Sequence, residues 1–196
     1  MRETIALSAT PAPDTICNMA VKKAAAHKKA RSSAKKIPDN AAESVKAAIQ
    51  LDEFLAKFTP EVTETAKQAL RKMRTRLPGA IELIYDNYNA LAIGFSPTER
   101  ASDAIFSIAL YPRWVSLFFL INGARLCDPD GRLQCSGKQA RHIVLETVGI
   151  LDDPAIQDLM AQALELSPKQ IDVSQSRRLI VKSVSAKQRP RRPSDR

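Results

Sequence analysis

The stretch Cys135-Ser136-Gly137-Lys138-Gln139 is the first place in this 196-residue chain where residue types and spacing suggest chemistry. Backbone N–H groups around a glycine, with a lysine beside them, can cradle a phosphate or carboxylate. The stretch lacks the first glycine of a nucleotide-binding P-loop, a hydroxyl after Lys138 and a following helix, so the nucleotide-hydrolase reading fails. What is left is a turn that offers Gly137, Lys138 and Arg141, with Arg113, to an anion; a plain turn leading into a strand explains the same residues. A second group is Tyr85-Asp86-Asn87-Tyr88-Asn89, where amides and phenols gather between two apolar runs. Such a group can fix a ligand's orientation in a pocket, and it equally makes a hairpin turn.

Cys127, Cys135 and His142 could in principle bind a metal with Asp128 or Asp130, or supply a thiolate and base. Their spacing matches no zinc pattern, and the Asp128-Pro129-Asp130-Gly131 turn lacks the further ligands of a calcium loop. No metal site and no cofactor are therefore expected. A Ser/His/Asp set, a carboxylate pair in an apolar context and a dinucleotide fingerprint are all missing, so an enzyme would have no visible mechanism. Three cysteines are the opposite of a disulfide framework and suit a reducing cytoplasm. The longest apolar run, around residues 115–121, falls far short of the roughly 20 residues that cross a bilayer.

The net charge of +9 is unevenly distributed. Residues 40–176 hold 14 basic and 17 acidic side chains, whereas the flanks hold 16 and 4. All ten aromatic residues lie between Phe54 and Phe119. The expectation is a nearly neutral domain over 40–166 with a disordered basic arm over 1–39, followed over 167–196 by a linker, a possible edge strand and a disordered basic tail. Residues 20–39 are too poor in large apolar groups to offset the entropy of ordering, and Met19 just before them is an alternative start. Lys22, Lys23, Lys28, Lys29, Arg31, Lys35 and Lys36, together with Arg189, Arg191 and Arg192, would neutralise phosphates of a nucleic acid or other polyanion. Without aromatics in the arms, such binding would not read sequence; conferring solubility is the other use of such arms.

The elements that must position these groups follow from periodicity. Asn40 and Glu43 make a capping-box pattern before Val45, Ala48, Leu51, Leu55 and Phe58 at helical spacing. Thr59, Pro60 and Glu61 open a second helix along Val62, Ala66, Ala69, Leu70, Met73 and Leu77, which ends at Pro78-Gly79. Strands are expected over 80–85, 90–95, 104–111, 114–120 and 141–146. The short connections at 86–89 and 112–113 require antiparallel hairpins, since a parallel crossover needs a dozen residues or more. Asp153 and Pro154 open a last helix through Ile156, Leu159, Met160, Ala163 and Leu164. Leu179, Ile180, Val181 and Val184 can add a late edge strand, and residues 188–196 are expected to be unstructured. The fold class is α+β, an antiparallel meander of about five strands packed with helices. Within it, Trp114 is expected in the core.

The run YDNYNALAIGFSPTERASDAIFSIALYPRWVSLFFL over 85–120, with SGKQARHI over 136–143, resembles the YdhG-like domain of unknown function, and the likeness covers about residues 50–166. The ending KSVSAKQRPRRPS resembles tails on longer members of that family. The resemblance implies a curved antiparallel sheet backed by helices, comparable with frataxin, and it implies intracellular iron handling. The residues support iron weakly. Asp52, Glu53, Glu61 and Glu64 are diluted by Lys57 and followed by Lys67, Arg71, Lys72, Arg74 and Arg76, a run that repels cations. The expected function is a non-catalytic module for a small anionic ligand or a protein partner. Its site is read as Tyr85, Asn87, Tyr88, Asn89, Arg113, Ser136, Gly137, Lys138, Arg141 and His142.

Overall fold

The computed structural model describes residues 40–135 and 137–193. The basic N-terminal arm over 1–39, with its seven candidate polyanion-binding residues, lies outside the described part. The elements run α1 (Asn40–Ala56), α2 (Pro60–Arg76), β1 (Ile81–Asp86), β2 (Leu91–Ser96), β3 (Phe106–Leu110), β4 (Val115–Phe119), β5 (Arg141–Val144), α3 (Pro154–Glu165) and β6 (Arg178–Val184). Single turns of 3-10 helix interrupt the connections at Ala101–Asp103, Gly123–Arg125 and Val148–Asp152. The fold is α+β, as the periodicity predicts.

Local chemistry explains where the helices begin. The Thr59 hydroxyl accepts a hydrogen bond from the Val62 amide, with Pro60 in the first turn of α2. Asp153 does the same for α3, accepting from the Ala155 amide ahead of Pro154. The α2 helix buries Val62, Ala66, Ala69, Leu70 and Met73. Val45, expected on the buried face of α1, is instead 60% exposed.

The sheet has six strands in the order β5-β4-β3-β2-β1-β6. Each successive pair from β1 to β5 is antiparallel. The sheet is nevertheless mixed, because β6 returns at the end of the chain to lie parallel to β1. This corrects the expectation of an antiparallel sheet of about five strands. The side-chain period of two then sorts the faces. Ile84, Ile93, Ile108, Leu117 and Ile143 stand in register across five strands on the side that meets the helices. Phe95, Phe106 and Phe119 form a neighbouring row, with the rings of Phe106 and Phe119 edge to face at 5.6 Å. On that same side, β1 carries Glu82 opposite Phe95 and Asp86 opposite Leu91.

The 167–176 stretch packs against the turn that enters β1. Gly79 has φ +80°, and a Cβ there would lie 2.0 Å from the carbonyl oxygen of Asp172. Both backbone conformation and space thus demand glycine. Gly79→Ala is expected to lower unfolding stability by about 2 to 3 kcal/mol, measured by urea denaturation; an unchanged midpoint would show that the 172 region does not hold this turn.

Candidate functional site

The residues expected to form one site are placed at opposite ends of the sheet. Asn87, Tyr88 and Asn89 form the exposed turn between β1 and β2, and exposed Arg113 lies in the β3–β4 turn at the same end. Gly137, Lys138 and Arg141 lead into β5 at the other end, since Arg141 pairs with Phe119 at the close of β4. Four strand-to-strand steps, roughly 19 Å, also separate β1 from β5. The two segments therefore do not meet. Tyr85 and His142 share the sheet face turned from the helices but stand on β1 and β5; burial raises the Tyr85 phenol above its ordinary pKa of 10.0.

Most of these groups also have local employment. Arg141 donates to the carbonyls of Gly137 and Ala140 and closes its own loop rather than facing outward. His142 stacks on Phe118 with ring centroids 4.9 Å apart. Trp114 is not a core residue: it is 45% exposed and stacks on Tyr111 at 5.1 Å. Ser136 lies outside the described residues. Cys135 is an exposed free thiol, and among the described residues no three His, Cys, Asp or Glu side chains gather to hold a metal ion.

The C-terminal tail is not a free cationic arm as far as Pro193. Beyond β6 the Ser185 amide donates to the Asp86 carbonyl at 2.8 Å and the Arg189 amide to the Tyr88 carbonyl at 2.9 Å. These bonds carry the chain along the β1–β2 turn. Arg191 then buries its guanidinium on Asp86 at 2.7 Å, with the two side chains only 3% and 1% exposed. Gln188 and Lys57 donate to the second carboxylate oxygen of Asp86 at 2.6 and 2.8 Å. Arg191 also donates to the Asn87 carbonyl and lies 5.5 Å from the centre of the Phe58 ring. Arg192 reaches the carbonyls of Ala56 and Phe58 at the C-terminal end of α1, where the helix dipole favours a cation. Arg191 is thus buried within the fold and is not displayed to a polyanion, whereas Arg192, although bonded to two carbonyls, stays exposed. Unpaired burial of Asp86 would cost more than ordering the tail, which is why a chain of basic and polar residues folds back onto it.

A cleft of about 330 Å³ opens between α1, α2 and the start of β6. Ala48, Leu51, Leu55, Leu70 and Leu179 give it apolar walls. Its polar lining is Lys67, Arg71, Arg74 and Arg177 against one acid, Asp52. Arg74 is committed: it forms a two-pronged bond to the buried Glu82 at 2.9 and 2.8 Å, and Arg177 adds a longer contact of 3.5 Å. Arg71 makes only an exposed pair with Glu64 at 3.2 Å. Gln68 and Arg71 hold the Glu64 carboxyl below its ordinary range. Lys67, half-buried, makes no ion pair among the described residues. On the neighbouring part of α2, Lys72 and Arg76 are both drawn to Asp152, so they do not serve the cleft.

Neither the cleft nor Glu82 figures among the site residues picked out from the sequence, and Asp86 entered only as a member of the Tyr85–Asn89 group. The signal for Glu82 and Asp86 was present: in Ile81–Asp86 they alternate in phase with Ile84, which puts two carboxylates on a core-facing register. The basic run of α2 was also visible, but only folding shows which of its members face the cleft. Comparisons with protein-family models, with curated proteins and with solved structures find no match.

Glu82→Gln is expected to cost about 3 kcal/mol because it leaves Arg74 short of its counter-charge. The double variant Glu82→Leu with Arg74→Leu should recover most of that loss in chemical denaturation, and additive losses would count against a coupled pair. The pH response follows from Asp152, whose carboxyl Lys72 and then Arg76 hold below the ordinary 3.8. Its stabilising effect is complete above the unfolded value and is lost as pH falls through the lower folded value. Denaturation midpoints followed down to about pH 2.5 should therefore drop below about pH 4, and less steeply for Asp152→Asn.

Proposed function

We propose that this chain is a non-catalytic binding module for a small organic anion with an apolar body, taken up in the cleft between α1 and α2. The observation that carries the reading is Lys67, a half-buried cation without an ion pair among the described residues, beside weakly engaged Arg71 above leucine walls. A ligand carboxylate or phosphate would give Lys67 the contact ion pair that Glu64 and Asp52 do not make with it, and its hydrocarbon part would cover Leu51, Leu55 and Leu70. The expected small anionic ligand is thus retained, and its site moves from the sheet turns to the helix pair. The likeness to the YdhG-like family is kept as part of this proposal and rests on the sequence runs alone. Iron handling has less support, because the cleft rim is cationic. Polyanion binding through the C-terminal tail has less support as well, because Arg191 and Arg192 bond to Asp86, Asn87, Ala56 and Phe58.

Titration calorimetry with hexyl phosphate, inorganic phosphate and hexanol tests the reading. Hexyl phosphate should bind at least about 10-fold more tightly than inorganic phosphate, since each buried methylene contributes about 0.8 kcal/mol. Lys67→Met should weaken it by roughly 10-fold, the worth of one charge-assisted bond. Glu64→Gln should strengthen it by releasing Arg71. Equal binding by wild type and Lys67→Met, or no heat at millimolar hexyl phosphate, would remove the cleft as the site.

A further inference from the structure

We propose that residues 177–193 are a gate on the cleft, held shut by the Asp86–Arg191 pair at the far end of β6. The proposal rests on the anion-binding reading of the cleft and adds its regulation. One segment serves both places: Arg177 and Leu179, at the start of β6, line the cleft. Gln188, Arg191 and Arg192, beyond its end, close on Asp86 and on the end of α1.

Several features make this segment separable from the rest of the sheet. It is an edge strand with a hydrogen-bonded neighbour on one side only. Its register against β1 shifts between Ile84 and Tyr85, and Lys182, Ser183 and Val184 are exposed. Leu179 is buried and Val181 packs against the core, but beyond Val181 its anchor is polar. That anchor is also incompletely satisfied, because Nε and Nη1 of Arg191 are buried without a hydrogen-bond partner. Such donors penalise the docked form, and a stretch such as 182–193, which buries no large apolar side chain, belongs to the least stable part of a fold. Undocking would withdraw Arg177 and Leu179 from the cleft together, which removes one cation and one apolar wall. By linkage, a ligand that uses that wall must in turn hold the segment down.

The test uses the full chain, wild type and Arg191→Met, with hexyl phosphate as probe. Trypsin cleavage after Lys182 and Lys187 reports undocking, and titration calorimetry reports the cleft. The gate predicts cleavage at least 10-fold faster in Arg191→Met, hexyl phosphate bound several-fold more weakly by that variant, and slower cleavage of wild type when the probe is present. Faster cleavage with unchanged affinity would overturn the gate and leave the cleft standing. Unchanged cleavage would overturn the latch. No binding by either protein would reject the cleft reading and the gate with it. Should Arg191→Met fail to fold, amide hydrogen exchange of wild type decides the matter: added hexyl phosphate must slow exchange over residues 179–189, and equal rates with and without it would refute the coupling.

Discussion

The burial of the Asp86 carboxylate is the constraint around which much of this fold is arranged. A carboxylate on the helix side of β1, 1% exposed, is tolerable only when it is paired and hydrogen-bonded. The partners come from distant parts of the chain: Lys57 from the α1–α2 connection, Gln188 and Arg191 from beyond β6. Meeting that need ties the last strand and its extension to the sheet and to the end of α1. It also accounts for a parallel strand at an edge that no local hairpin could supply.

Glu82 repeats the arrangement four residues earlier on the same face of β1. Its pairing with Arg74 draws α2 down onto the sheet, and Arg177 approaches the same carboxylate from the entry to β6. The two acids therefore act at opposite ends of β1, one joining the strand to α2 and the other joining it to the C-terminal segment. The apolar layer between them, from Ile84 through Ile93, Ile108 and Leu117, provides the hydrophobic stabilisation. The acids decide which elements sit over it. The cleft is what remains where α1, α2 and β6 converge without filling the space between them.

Legibility in the sequence followed the range of the interactions concerned. The caps Thr59-Pro60 and Asp153-Pro154 act over two or three residues, and both helices begin where those residues predict. Asn87 to Asn89 also form a turn as their types require, directly after Tyr85 and Asp86 at the end of β1. The joint site inferred from that turn and the 136–142 segment was not realised, because alternation identifies strands but not their order across a sheet. Arg191 illustrates the same limit. Among prolines and other arginines near a chain end it has the composition of a solvated tail, and only the carboxylate 105 positions earlier makes it a buried residue.

The sequence by itself determined the α+β class, the helix starts, the hairpins and the division of charge between a nearly neutral middle and basic flanks. These depend on propensities and periodicities that act within a few residues. Tertiary structure alone decided that β6 lies parallel to β1, that Arg191 and Arg192 bond to Asp86, Asn87 and the end of α1, and that Lys67 and Arg71 face a common cleft. Ion pairs between residues about a hundred positions apart leave no local signature. They form because a buried charge must find its partner wherever the chain can bring one.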